Sequence, residues 1–239
     1  MQVRSNQLAP VIVAHRGLHN AHPENSLVAF RAAWDAGIDW CECDVWRPAA
    51  GEAVVLHDET LDRTTTGRGP VRSLQLDDSR QALRLKMPDG RVTEEPLPSL
   101  PDLLSAMKDD ARLLVEIKPP NARSLVHAAI DGVGTDGAVQ SFDLSNVEYA
   151  LSHSDPCPVL WLIDQASQFD EVPRLRCNGI GADFNLLNAE TVAFLRRMKK
   201  RVAAWTVNQE DDIVRMLALG IDVIITDEPL LARRIVQRL

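Results

Sequence analysis

The stretch CECDV at 41–45 interleaves two thiols, Cys41 and Cys43, with two carboxylates, Glu42 and Asp44. Thiols at that spacing suit a soft metal or a redox centre, whereas paired carboxylates suit a hard cation such as magnesium or calcium. EIK at 116–118 supplies a further carboxylate, Glu116, and a cation, Lys118. Two histidines, His15 in AHRG (14–17) and His57 in LHD (56–58), each end a short apolar run, and Arg16 follows the first. Two imidazoles on opposite sides of a metal-bound phosphodiester can divide the proton traffic. One takes the proton of the attacking hydroxyl or water and the other protonates the leaving oxygen. Histidine suits both tasks because its ordinary pKa lies close to neutrality. Arg16 and Lys118 would hold the phosphate oxygens, and the metal would polarise the phosphoryl group.

Which of the interleaved pairs does chemistry depends on the element that carries them. WCECDVW (40–46) reads as a strand, where residues two apart share a face. Glu42 and Asp44 then point one way, and Cys41, Cys43 and Val45 the other. On the strand RLLVEIK (112–118), Leu114, Glu116 and Lys118 share a face opposite the apolar Leu113, Val115 and Ile117. The thiols fall with the apolar set, so they are expected to pack under helices as small hydrophobes. Cys157 and Cys177 add no ligand spacing, and there is no Cys-x-x-Cys. Glu42, Asp44 and Glu116 are therefore the expected ligands of one divalent cation, Mg2+ or Ca2+, with cavity size and ligand number deciding between the two.

Around these residues, short apolar strands alternate with helical patterns along the whole chain. VIVAH (11–15), the two strands above, GAVQSFD (137–143), PVLWLID (158–164), GIGADFN (179–185), RVAAWTVN (201–208) and IDVIITD (221–227) read as strands, each followed by a helical stretch. Residues 165–176 form the weakest of the expected helices, and AVVLHD (53–58) reads as a further strand or as a hairpin extension through Gly51. Eight βα units predict an α/β fold, a (β/α)8 TIM barrel, as one domain over 1–239. A doubly wound open sheet is the alternative that the same units allow. Barrel enzymes place their chemistry where strands end, and the charged and imidazole residues fall there. The rhythm breaks at 59–96, a polar segment with Gly67, Gly69 and Gly90. It reads as a small insertion after the second strand, with too few apolar residues for a core of its own.

The net charge of −8 argues against a nucleic-acid partner, which needs a basic surface. The N-terminal MQVRSNQLAP has no apolar core of a signal peptide, and no apolar run reaches 18 residues. Four cysteines form no disulfide framework. A cytoplasmic protein without membrane insertion is expected, and no sequence feature specifies an oligomeric state. GVGTDG (132–137) fits a dinucleotide fingerprint but closes a helix before a strand, the reverse of what that motif requires, so it reads as a helix stop. SHSD (152–155) reads as a surface turn, RRMKK (196–200) as a solvated helix end, and His19 and His22, which with His15 could suggest a three-histidine zinc site, as residues of a Pro-containing loop.

Taken in order, AHRG, PENS (23–26), ECDV (42–45), LHDETLDRTTTGRGPV (56–71), LPSLPDLL (97–104), EIK, SFD (141–143), WTVN (205–208) and GIDVIITDEP (220–229) resemble the glycerophosphodiester phosphodiesterases, in the bacterial cytosolic form. The resemblance covers essentially the whole chain. It implies a (β/α)8 barrel that hydrolyses glycerophosphodiesters to glycerol 3-phosphate and an alcohol. It implies His15 and His57 as the acid–base pair, and Glu42, Asp44 and Glu116 as ligands of a divalent metal. Arg16 and Lys118 match phosphate-contacting positions, Trp205 matches an aromatic lining the substrate pocket, and Phe142 is similarly placed. Ser26 stands where the family usually has threonine, and its hydroxyl is expected to cap a helix. Cys41 replaces a usual aliphatic residue, and the turn RPAAGEA (47–53) is less acidic than the common form. The polar stretch LDDSRQALRLKMPDGRVTEE (76–95) favours a soluble diester over a lysophospholipid.

Overall fold

The computed structural model of the chain describes residues 9–49, 51–74, 79–153 and 157–238. Strands β1 (Val11–His15) and β2 (Trp40–Trp46) pair in parallel, and β3 (Val54–Val55) folds back against β2 as an antiparallel hairpin. Strands β4 (Arg84–Lys86) and β5 (Val92–Pro96) form a separate two-stranded sheet. The chain continues with β6 (Arg112–Ile117), β7 (Ala138–Ser141), β8 (Val159–Ile163), β9 (Gly179–Asp183), β10 (Arg201–Trp205) and β11 (Val223–Thr226). The spatial order β1-β11-β10-β9-β8-β7-β6-β2 closes through the β1–β2 pairing. A closed eight-stranded parallel barrel follows, and the open-sheet alternative is excluded.

Helices α1 (Leu27–Asp35), α2 (Ser79–Ala82), α3 (Leu100–Ala106), α4 (Arg123–Val133), α5 (Leu144–Leu151), α6 (Ala189–Arg197), α7 (Glu210–Leu219) and α8 (Pro229–Arg238) accompany the strands. Ser26 caps α1 as expected, its hydroxyl accepting from the Ala29 amide. Gly134, at φ 59°, ends α4 inside the GVGTDG stretch, as a helix stop should. Between β8 and β9 the expected helix is instead a 3-10 helix, Ala166–Arg174. Pro173 lies inside it, lacks an amide hydrogen and prevents a regular α-helical ladder.

The strand faces separate as alternation requires. Val13, Leu114, Ala138, Leu160, Ala203 and Ile225 fill the barrel interior. Cys41, Cys43, Val45, Leu113, Val115 and Ile117 pack outward against helical residues such as Phe30 and Leu103. Both cysteines are fully buried and unpaired. Burial, reinforced by Glu42, pushes both thiols well above their ordinary range, so neither offers a thiolate.

The segment 59–96 takes part in a small core without supplying one of its own: Leu61, Val71, Leu74 and Leu85 cluster with Val54, Leu56 and Leu97. The core forms because the β2–β3 hairpin and the residues before α3 supply the missing apolar surface. In RRMKK, Lys200 is buried, and its Nζ donates to the carbonyls of Leu175 and Cys177 at 2.6 and 2.9 Å. These carbonyls, not solvent, receive its hydrogen bonds, which corrects the reading of this helix end as solvated. Of SHSD, residues 154–156 lie outside the described residues.

Candidate active site

Registry alone brings the acidic residues together. In the parallel ladders Asp44 lies opposite Glu116, and Glu42 lies between His15 on β1 and Leu114 on β6. All end at the same rim of the barrel, and Glu42, Asp44 and Glu116 each place an oxygen within 4.8 Å of the others. The three carboxylates are 1%, 0% and 7% exposed. Burial, then the charges of Asp44 and Glu116, pushes the Glu42 carboxyl well above its ordinary range. Burial and Asp44 push Glu116 up to about 7. Although burial opposes it, the charges of Arg16 and Lys118 hold Asp44 at about 2. Oε1 of Glu42 and Oδ1 of Asp44 are buried with no hydrogen-bond partner. Buried acceptors without partners are costly. Three converging all-oxygen ligands with orphaned lone pairs fit a hard divalent cation, which would satisfy them.

A tight turn sets the cations against this cluster. Arg16 and Gly17 both take positive φ, 55° and 79°. A Cβ on Gly17 would meet the Ala29 carbonyl carbon at 2.7 Å, so only glycine lets β1 pass this close to α1. The turn lets the Arg16 amide donate to the Glu42 carbonyl at 3.0 Å. It also brings Arg16 Nε to 3.2 Å from Asp44 Oδ2, an ion-pair separation without hydrogen-bond alignment. Arg16 Nη1 donates to Glu24 at 3.0 Å, and Asn25 Nδ2 donates to Asp44 Oδ2 at 2.8 Å. Lys118 Nζ donates to Glu116 Oε1 at 2.7 Å and lies 3.4 Å from Asp44 Oδ1.

Each histidine leans on its own carboxylate. His15 Nδ1 lies 2.7 Å from Asp227 Oδ1. An ionised carboxylate only accepts, so Nδ1 carries the hydrogen and Nε2 turns towards the acidic cluster, 3.9 Å from Glu42 Oε2. Asp227 also accepts from His19 Nε2 at 2.9 Å and from Asn208 Nδ2 at 2.6 Å. Against the effect of burial, hydrogen bonds from His15 and His19 hold Asp227 far below the ordinary carboxylate range. His57 is fixed by its backbone, whose carbonyl accepts from Trp46 Nε1 at 2.9 Å, and by Asp58, 2.8 Å from Nδ1. Arg63 donates to both Asp58 and Glu24 at 2.6–2.9 Å, tying the insertion to the PENS loop. Burial, assisted by Arg16 and Lys118, lowers the His57 pKa.

These groups surround one cavity of about 150 Å³. Its polar wall is His15, Arg16, Glu42, His57, Glu116 and Lys118, and Phe142 and Trp205 line it as well. The two aromatic rings meet edge to face at 5.4 Å. Asp44 sits behind this wall, fully buried. Gln140, 3% exposed, adds an unpartnered Oε1 to the lining. The residues proposed from sequence thus converge on one place. Asp227, Asp58, Asn25, Glu24, Arg63 and Gln140 were not anticipated as parts of it. Asp58 ends the AVVLHD segment and Asp227 the IDVIITD segment, and Glu24 and Asn25 lie in the PENS motif, which are the signals that point to them. His19 joins His15 through the shared Asp227, and among the described residues no such contact involves His22.

A closed (β/α)8 barrel thus gathers buried carboxylates, two imidazoles and two cations at one rim, where barrel enzymes place their chemistry. A family model described as the Glycerophosphoryl diester phosphodiesterase family matches residues 15–231. The chain belongs to that family. It is 27% identical over 230 residues to a glycerophosphodiester phosphodiesterase of Caldanaerobacter subterraneus subsp. tengcongensis, covering 92% of this chain and 94% of that protein. A putative glycerophosphoryl diester phosphodiesterase from Silicibacter pomeroyi shares the fold at TM-score 0.86 and 23% identity, over 97% of this chain and 94% of the other. An Oleispira antarctica phosphodiesterase in complex with the product sn-glycerol-3-phosphate is similar at TM-score 0.86 and 22% identity, over 96% and 97% of the two chains. No described helix is long and apolar enough to cross a membrane.

Proposed function

We propose that the chain is a single catalytic domain that hydrolyses soluble glycerophosphodiesters to glycerol 3-phosphate and an alcohol, with one divalent cation held by Glu42, Asp44 and Glu116. The observation that carries this reading is the cluster of three buried carboxylates with two orphaned oxygens, flanked by His15 and His57. A bound Mg2+ or Ca2+ would polarise the phosphoryl group and acidify the attacking oxygen. Arg16 and Lys118 bear on the phosphate oxygens from the same wall. His15 and His57 share the acid and base roles, each with Nδ1 engaged by an aspartate and Nε2 left for proton exchange with the substrate. Asp227 and Asp58 stabilise the imidazolium that forms at each. Phe142 and Trp205 offer apolar surface to the carbon skeleton, and the product held by the Oleispira antarctica relative supports glycerol 3-phosphate as the released half. Four free, buried cysteines suit a reducing compartment, and we place the enzyme in the cytoplasm.

The test is a coupled assay for glycerol 3-phosphate released from glycerophosphocholine and glycerophosphoethanolamine, with Mg2+, with Ca2+ and with chelator. Release that needs the metal is expected, and metal-loaded protein that releases none from any diester refutes the proposal. His15→Ala and His57→Ala should each lower turnover by about 10²–10⁴ while the protein still binds metal. Unchanged turnover in either variant removes that histidine from the mechanism.

A further inference from the structure

Helix α4 presents His127 and Asp131 one turn apart, on the same face. Helix α5 ends at Leu151, and the His153 amide, two residues on, donates back to the Ala150 carbonyl at 3.2 Å. That places the His153 ring against α4, 4.9 Å between centroids from the His127 ring. His127 Nδ1 lies 2.8 Å from His153 Nε2. Asp131 lies 3.3 Å from His127 Nε2 and 3.9 Å from His153 Nε2. One ligand atom from each of the three falls within 4.8 Å of the others.

We propose that His127, Asp131 and His153 form a transition-metal site on the outer wall of the barrel, with no part in phosphodiester hydrolysis. A tetrahedral zinc ion with bonds near 2.0–2.1 Å holds its ligand atoms about 3.3 Å apart. The 2.8 Å and 3.3 Å contacts use different nitrogens of His127, so one ion would take this residue through one of them; with His153 Nε2 3.9 Å from an Asp131 oxygen and one ligand atom of each residue within 4.8 Å of the others, side-chain rotations bring the set to that spacing. Two neutral imidazoles facing each other share one hydrogen, whereas a cation takes a lone pair from each and is countered by Asp131. His153 is 14% exposed and holds the inner position, while His127 and Asp131, at 54% and 57%, leave an open side for water ligands. Two nitrogens and one carboxylate select Zn2+, Co2+ or Ni2+. The barrel-rim cluster is all oxygen and favours Mg2+ or Ca2+, so the two sites accept different ions. Occupancy would cross-link α4 to the chain that follows α5.

The experiment is a titration of the untagged full chain with Co2+ or Zn2+ in saturating Mg2+. Calorimetry gives the stoichiometry, and visible absorption reports the Co2+ geometry. His15, His19 and Asp227 also lie within 4.8 Å of one another, so His19→Ala serves as the comparator. The expected result is one transition-metal equivalent that is lost in His127→Ala and in His153→Ala, retained in His19→Ala, and without influence on Mg2+-supported turnover. His127 is exposed, so its variant tests binding without disturbing the core. Absence of the extra equivalent in the native chain overturns the proposal. So does its survival in His127→Ala, or its loss in His19→Ala alone.

Discussion

Glu116→Gln keeps the side chain's shape and removes one of the three buried carboxyls at the barrel rim. In metal-free protein the Glu116 carboxyl is held at about 7 against an ordinary 4.5. At about 1.4 kcal/mol per pH unit, ionising it in the folded state costs about 3 kcal/mol more than in the unfolded chain. The folded protein keeps this proton to higher pH than the unfolded chain does. Stability therefore falls as pH rises from 4.5 towards 7 and then levels. Glutamine abolishes that loss but weakens the charge-assisted contact with Lys118 Nζ, 2.7 Å away. A net gain of about 1–2 kcal/mol at pH 8 remains, or about 3–6 °C in Tm for a chain of this size. With metal the sign reverses. The native protein gains about 2.7 kcal/mol at a hundredfold excess over Kd, and the variant, short of one ligand, loses most of that gain. Thermal unfolding followed by circular dichroism at pH 5 and pH 8, with chelator and with Mg2+ or Ca2+, reads both effects. A variant that is less stable in chelator at pH 8, with an unchanged pH slope, refutes the charge argument. A metal-induced shift equal to that of the native protein refutes the ligand assignment.

Replacing Cys41 and Cys43 together by alanine should cost about 1–2 kcal/mol in denaturant unfolding through lost packing, and leave metal affinity unchanged. A folded double variant that binds no metal would mean the two strand faces are reversed. Asp227→Asn should lower kcat by on the order of 10², because the carboxylate that orients and charges His15 is gone. Stopped assays at saturating diester check it, and native turnover would remove Asp227 from the site. Gly17→Ala should destabilise by about 2–3 kcal/mol through its positive φ and the contact with Ala29, and should lower turnover by displacing Arg16. Native stability and turnover in that variant would exclude the turn as the device that aims Arg16.

Much of this protein is determined by short-range rules that act on the sequence alone. Strand alternation sorted CECDV into two packing thiols and two site carboxylates, because side chains two apart must share a face whatever surrounds them. The repeated βα units dictated a parallel sheet covered by helices, since parallel strands need crossovers; closure into a barrel was decided by the β1–β2 pairing. Ser26 as a helix cap is equally local. Other features depended on contacts between residues distant in the chain. Asp227 reaches His15 only because β11 closes the ring beside β1. Arg63 couples His57 to the PENS loop only because the insertion folds back over it. The small core of 59–96 draws on residues that lie outside that segment. The perturbed carboxyls of Glu42 and Glu116 are tertiary effects too, since burial and charge density depend on how three strand ends meet. Sequence determined which groups are available and which way each strand turns them. Tertiary structure decided which of them stand within hydrogen-bonding reach, because those distances depend on barrel closure.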